Sequence, residues 1–360
     1  MQNTTERTEL LEQFKIFGGQ VENIEQQNSP HGLGLFPIDS NKEFNLLVPK
    51  NLLVPADNIE LQDDEVIIKD HKGFPKGYGE WFRRYQALFS WGAEGEASVT
   101  DFEKGLQNLP VNVKLEMIKL GLYQPDKRMP CGDRRESILR RFLNCRCLVR
   151  KGQLLVMPIL ELVNHSPLAA NWETHSNGNV GVSGRRGGEI LVKYSNSDSM
   201  QRLMAYGFNC REPMAFSLHI SVQHRGQNIK VQGGGGRRWF QSPVVKYEGD
   251  TLVIRQPLLG FRQGPKLAKS LFLMAFQDFS NVDATELFEQ IHRANVLALV
   301  DLLRLLDKQT GETASQLRCG CLDQLLILSE HVGYRPELLL HDNGISATKD
   351  SNLSNGAYMG

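Results

Sequence analysis

Apolar positions change their period along the chain, and each change marks a predicted element. Segment 45–55 holds two brief apolar runs punctuated by proline, and Glu65–Lys69 reads as a further strand, so the first hundred residues are expected to be short strands and turns. From about Gly79 the period becomes helical, with Trp81, Phe82, Tyr85, Leu88 and Phe89 on one face. A later helix starts at Asp133, with Glu136 three residues on as in a capping box, and carries Ile138, Leu139, Phe142 and Leu143 on one side. Strand character returns at Leu154–Pro158. The runs Asn179–Val182 and Glu189–Tyr194 flank the glycine-rich stretch Gly184–Gly188 and are expected to form a hairpin. Beyond Cys210 come Ser217–Gln223 and Val244–Arg255, the latter with a Glu-Gly-Asp turn at its centre. After Pro265 the pattern is helical, with Leu299, Leu302, Leu303 and Leu306 forming one buried stripe. The tail after Asp342, rich in Asn, Ser and Gly, is expected to be disordered.

Composition narrows the class. The chain has 360 residues, enough for two domains or one elaborated domain. Its 41 basic and 41 acidic residues balance, so no general attraction to nucleic acid or anionic membrane is expected. The start is polar without a secretory pattern, and the longest apolar stretches are interrupted by charge or proline, so no membrane span is expected. Six cysteines in so long a chain, including Cys145 with Cys147 and Cys319 with Cys321, point to reduced thiols and a cytoplasmic location.

Neither common nucleotide cradle is present, and no His-Glu-x-x-His or paired Cys-x-x-Cys is present to supply zinc. Four separated pieces remain: Gly32-Leu33-Gly34, Glu161 to Ser166 with Asn164 and His165 at its heart, Gly188 to Tyr194, and Tyr206-Gly207-Phe208. In this order they resemble the SET-domain protein methyltransferases, in the branch typified by the Rubisco large-subunit lysine methyltransferase. The twelve-residue step from Tyr194 to Tyr206 is similar to the family's. The resemblance covers residues 20–210 and extends more loosely beyond.

The fold implied is α+β: a SET-domain β-fold with a knot-like C-terminal crossing, a helical insert and a mainly helical C-terminal domain. Its parts would be 1–70 and 146–210 for the split SET domain, 71–145 for the insert, 211–341 for a substrate-binding-like domain and 342–360 for the tail. The activity implied is methyl transfer from S-adenosyl-L-methionine to a lysine amine in a protein substrate, by a protein-lysine N-methyltransferase. Tyr194 matches the catalytic tyrosine. His31, Gly32, Leu33, Gly34, Arg146, Glu161, Asn164, His165, Tyr194 and Tyr206 match cofactor-binding positions, and Tyr206 with Phe208 match the walls of the lysine channel. The implied roles are Asn164 on the methionine end of the cofactor, His165 backbone at the adenine, and Arg146 with the Gly32 and Gly34 amides on the carboxylate.

As bare residues these have ordinary readings too: a strand tyrosine capping a sheet, a buried Asn-His pair satisfied by backbone, a Gly-x-Gly turn, an arginine in a solvated basic stretch. The chain departs from the branch at His31, where an acidic residue is common, and at Glu161, where an aspartate is. The Gly233–Arg238 stretch is unexpected in the family and reads as a flexible loop. Ser166 and Pro167 stand where a zinc-bearing relative needs cysteine, so no metal is expected. The competing readings are a non-catalytic SET-like protein-binding scaffold that keeps the fold, with or without the cofactor, and, more remotely, nucleic-acid binding through the arginines of 132–150 and the Gly233–Arg238 loop.

Overall fold

A computed structural model describes residues 2–30, 32–125, 133–234 and 241–332. It mixes helices and strands, and its contacts divide the chain into two units: Met1–Asn108, Tyr123–Asn196 and Arg202–Cys210 in the first, the remainder in the second. His31, the Gly235–Arg238 part of the glycine-arginine stretch and the tail after Asp342 lie outside the described residues.

The first unit opens with helix α1 (Gln2–Ile16), where the sequence predicts strands and turns. Leu10 and Phe14, one turn apart, are fully buried while most of the helix's other described positions are polar, so the apolar signal is too sparse to declare a helix. Tertiary contacts hold it. Phe14 stacks on Trp81 at 5.4 Å, and Trp81 Nε1 donates to Leu10 O at 2.8 Å. Trp81 belongs to α2 (Tyr78–Phe89), whose buried Tyr78, Trp81, Tyr85 and Phe89 stack in succession down one face. Helices α3 (Glu96–Asn108) and α5 (Arg134–Arg146) follow in this unit. Asp133 caps α5 as expected, accepting from the amides of Arg135 and Glu136.

The strands of this unit are β1 (Gln20–Glu22), β2 (Glu25–Ser29), β3 (Gly32–Phe36), β4 (Phe44–Val48), β5 (Val54–Pro55), β6 (Ile59–Gln62), β7 (Glu65–Ile68), β8 (Cys147–Arg150), β9 (Gln153–Val156), β10 (Asn164–His165), β11 (Glu173–Thr174), β12 (Val180–Gly184) and β13 (Leu191–Val192). They form small sheets: β1-β4-β12-β11, β5-β9-β8, and the pairs β2-β3, β6-β7 and β10-β13. The β8-β9 hairpin turns through Lys151 and Gly152, both at positive φ, as a tight hairpin with right-handed strand twist requires.

The hairpin expected of 179–182 and 189–194 does not form. Instead β12 pairs with β4 and β11, while β13 lies parallel to β10, with Asn164 opposite Leu191 and His165 opposite Val192. Alternating burial specifies that a strand has an inner face but not which strand lies beside it, and the glycine-rich stretch lets the chain leave one sheet for another. Helix α6 (Ser199–Tyr206) follows, its part from Arg202 onward belonging to the first unit.

The second unit contains α4 (Val111–Lys119), β14 (Met214–Phe216), β15 (Ile220–His224), β16 (Gln227–Gln232), β17 (Val244–Glu248), β18 (Thr251–Arg255), β19 (Leu258–Phe261), and helices α7 (Leu267–Ala275), α8 (Ala284–Leu306) and α9 (Glu312–Val332). Its main sheet runs β15-β16-β18-β17, with β17 and β18 closing on the expected turn. Leu299, Leu302, Leu303 and Leu306 of α8 are buried as their spacing predicts. No helix among the described residues is long and apolar enough to cross a membrane.

Candidate functional site

The site is built on a bend. After β9 the chain passes Pro158 to Ile159, whose φ of 69° is a left-handed conformation that a β-branched side chain resists. Holding such a residue there costs on the order of 1–3 kcal/mol and needs compensation from its surroundings. The buried Tyr85 hydroxyl supplies it, accepting the Ile159 amide at 2.9 Å and donating to Glu161 Oε1 at 2.8 Å. A single helical turn, Leu160–Leu162, then delivers Asn164 and His165 to β10.

Three distant segments converge at Asn164. Its Nδ2 donates to Leu33 O at 3.2 Å and to Glu189 Oε1 at 2.7 Å. Gly34 is tight against both partners: a Cβ there would sit 2.2 Å from Glu189 Oε1 and 2.9 Å from Asn164 Nδ2, so only glycine admits this approach. Gly32, with φ of 94° and nothing within 4 Å of its Cβ position, stands on an open side of the same strand.

Tyr194 is fastened at both ends to β10 and its approach. Its amide donates to His165 Nδ1 at 3.1 Å, which leaves the imidazole proton on Nε2, and its hydroxyl donates to Val163 O at 2.7 Å. Around its ring stand Tyr206 at 5.3 Å, Phe208 at 6.5 Å, His165 at 5.1 Å and, stacked, Trp172 at 6.1 Å. Arg202 is fully buried and donates to Ser195 O at 2.9 Å. Its guanidinium lies 4.9 Å from the Tyr206 ring centre and 5.9 Å from that of Tyr194, a cation-π arrangement with both. Burial pushes the Tyr194 phenol well above its ordinary range, with Arg146 opposing, and raises Tyr206 with Arg202 opposing. Tyr194 is therefore a hydrogen-bonding phenol at neutral pH and not a base.

Glu161 points away from this cluster of rings. Its buried carboxyl faces α2, accepting from Tyr85 and from Gln86 Nε2 at 3.1 Å, while Oε2 has no partner. Burial raises it above the usual carboxylate range, and the Arg146 charge opposes that rise. Arg146 donates to the Glu161 main-chain oxygen at 3.5 Å and lies over Phe142.

The structure thus brings Leu33, Gly34, Asn164, His165, Tyr194, Tyr206 and Phe208 together, while the carboxyl of Glu161 turns to the scaffold. Sequence reasoning missed Glu189, Arg202 and Trp172. Arg202 left a signal, since it precedes Tyr206 by one helical turn, the spacing at which side chains on a helix meet. Glu189 is a lone charge at the head of an apolar strand. In the second unit a separate cavity of about 1090 Å³ is lined by residues that include Lys119, His219, Lys230 and Asp301, and it contains none of the expected site residues.

No protein-family model matches the chain, and no curated protein matches it. Among solved structures it is similar to the SET domain of LSMT bound to MeLysine and AdoHcy, at 15% identity and a TM-score of 0.44, covering 97% of this chain and 98% of that one. It is likewise similar to Rubisco LSMT bound to AdoMet, at 14% identity and a TM-score of 0.41 over 95% and 98% of the two chains. A third is Rubisco LSMT bound to sinefungin and monomethyllysine, at 13% identity and a TM-score of 0.41 over 96% and 99%. At this level of likeness the functional reading rests on the residues themselves.

Proposed function

We propose that the chain is a SET-type protein-lysine N-methyltransferase that uses S-adenosyl-L-methionine, with residues 71–145 as a helical insert and the β10-β13 pairing as part of a knot-like crossing. The observation that carries this reading is the fastening of Tyr194 to Val163 and His165, next to an Asn164 that reaches β3 at Leu33 and Gly34. Four motifs spread over nearly two hundred residues meet in the order the resemblance implies. Six cysteines in so long a chain accord with reduced thiols and a cytoplasmic protein.

The residues fit the cofactor. Gly34 lets the polar side chains of Glu189 and Asn164 lie against the backbone, and Gly32 leaves the same strand open beside them, a place for the amino-acid end of a ligand with Asn164 at its wall and Arg146 as the candidate partner of a carboxylate. When bound, S-adenosylmethionine supplies an electrophilic sulfonium methyl to a neutral amine.

The chain's own residues then have two tasks. A free lysine at neutral pH lies about 3 units below its pKa, so presenting the neutral amine costs roughly 4–5 kcal/mol. The aromatic walls of Tyr194, Tyr206 and Phe208 disfavour the ammonium by desolvation, and the fixed charge of Arg202 behind two of those rings disfavours it further. The second task is alignment. A neutral Tyr194 hydroxyl, already oriented by the Val163 carbonyl, holds the reacting groups in line without exchanging a proton.

Incubation of the chain with methyl-labelled cofactor and a cell lysate tests the reading: label is expected on lysine of at least one protein. A scaffold that binds cofactor without transferring methyl groups would show stabilisation alone, roughly 2.7 kcal/mol at a hundred times the dissociation constant. Absence of both label and stabilisation would remove both cofactor-binding readings.

A further inference from the structure

We propose that the outer edge of β15, in the second unit, takes an extended segment of a partner protein as an additional antiparallel strand, and that this segment alternates apolar with acidic residues. This goes beyond methyl transfer and does not depend on it.

The sheet β15-β16-β18-β17 has two edges, and they are treated differently. An edge strand presents unpaired N–H and C=O groups on which another chain can add, and charges or proline along it discourage this. On β17 such charges are present: Lys246 pairs with Glu248 at 2.6 Å, and Glu248 with Arg255 of β18 at 3.0 Å. The β15 strand, Ile220 to His224, contains no acid, lysine, arginine or proline, and its register against β16 runs without a bulge.

The hairpin turn fixes which groups are free. Arg225 and Gly226 both have positive φ, as in the two-residue turn whose flanking residues, here His224 and Gln227, exchange hydrogen bonds. Bonding alternates along an antiparallel pair, so Ile220, Val222 and His224 bond to β16, and the N–H and C=O of Ser221 and Gln223 point outwards. One residue upstream the parity is the same, since His219 donates its amide away from β16 to Leu120 O at 3.0 Å. Beyond that contact the edge opens at Ser221 into the cavity of about 1090 Å³, whose other walls are the end of α4 and one side of α8. Ile229 and Val231 of β16 are buried, whereas Ile220 and Val222 beside them are only half-buried, the pattern of a sheet that lacks its next strand.

The cavity sets the chemistry of that strand. A residue opposite Ser221 lies on the same face as Ser221 and Lys230, its partner in β16. Lys230 is exposed and forms no ion pair among the described residues, while the two acids of the cavity are already matched, Glu116 with Lys119 at 3.0 Å and Asp301 with Arg304 at 2.7 Å. An acidic residue there complements Lys230. Its neighbours along the strand point to the other face, where Ala294, Leu297 and Ala298 of α8 line the cavity and Leu297 is largely exposed, a surface that buries apolar side chains.

Fluorescence anisotropy on the full chain tests this with a labelled short peptide that alternates valine and glutamate. Binding is expected below about 1 mM, and replacing the glutamates by lysine is expected to weaken it by about tenfold. Methylating the glutamate amides, which face β15, should weaken it by at least about tenfold, whereas methylating the valine amides, which face away, should leave it unchanged. Ser221→Pro removes an N–H that the sheet does not use and should likewise cost about tenfold. Lys230→Glu should reverse the preference between the glutamate and lysine peptides. No binding to the unmodified chain overturns the proposal, and so does equal binding of the two methylated peptides. Undiminished binding by Ser221→Pro overturns it as well. Should that variant fail to fold, the methylated peptides decide the same point on the unmodified chain.

Discussion

Asn295 in the second unit and Glu161 in the first are both polar and both buried, yet they are treated in opposite ways. Asn295 is saturated by neutral partners: its Oδ1 accepts from Leu218 N at 2.7 Å, and its Nδ2 donates to Ile291 O at 2.8 Å and Ser217 Oγ at 3.0 Å. It pins α8 to the chain leading into β15 and carries no charge. Glu161 keeps one oxygen without a partner, has an arginine acting on it from one side and a tyrosine donating from the other, and sits three residues before Asn164. Saturation marks a joint of the framework. The partly satisfied carboxyl of Glu161 is held against its cost in stability, in the turn that leads to Asn164.

The comparison is sharpened first where the effect is largest. Tyr194→Phe removes one hydroxyl beside the rings, and methyl transfer is expected to fall by about 10²–10³-fold, the usual loss when one preorganised polar group is taken from a reacting centre. Binding of S-adenosylhomocysteine should persist. Labelled transfer and calorimetry on the same preparation measure both, and a variant that still transfers at a third of the original rate would remove Tyr194 from the chemistry. Asn295→Ala is the counterpart in the second unit. It strands the Leu218 amide in a buried setting, so chemical denaturation should show a loss of roughly 2–3 kcal/mol with ligand affinity unchanged.

A third prediction concerns sign. The folded-state pKa of Glu161 is raised above its unfolded value, so its contribution to stability is fully present below about pH 4.5 and is lost as pH rises through the folded value. Glu161→Gln, which can still accept from Tyr85, should lack that loss. Denaturation curves for the two chains at pH 4 and pH 8 would show it as a smaller drop in the variant; an equal drop would mean the carboxyl does not titrate as described. The smallest effect is local: Asp133→Ala removes the cap of α5 and should cost about 1 kcal/mol in stability, with no change in ligand binding.

The parts of this molecule that were legible beforehand are those where one residue type has one local meaning. The leucine stripe of α8, the Asp133 cap and the Glu-Gly-Asp turn each follow from spacing within a few residues. Helix α1 was not legible, because two buried residues and the grip of Trp81 hold it in place of a continuous apolar face. The partner of β13 was not legible either, since alternation of Ile190 and Val192 is the same whichever strand lies alongside. In the candidate site, the order of motifs leads one to expect the Asn164–His165 segment beside Tyr194, and the contacts that form are those of Tyr194 with Val163 and His165. The direction of the Glu161 carboxyl, the seat of Arg202 behind two rings and the reach of Glu189 to Gly34 depend on packing between segments far apart in the chain.

One oxygen atom, that of Tyr85, restrains the bend at Ile159 and anchors the acid two residues later, so the geometry of β10 is under tension from a helix that touches no reacting atom. Loosening that latch with Tyr85→Phe should let the bend relax and carry Asn164 out of alignment. Ile159→Gly, for which a left-handed backbone is no burden, should restore it, which makes these two positions partners in inheritance although neither would ever meet a substrate.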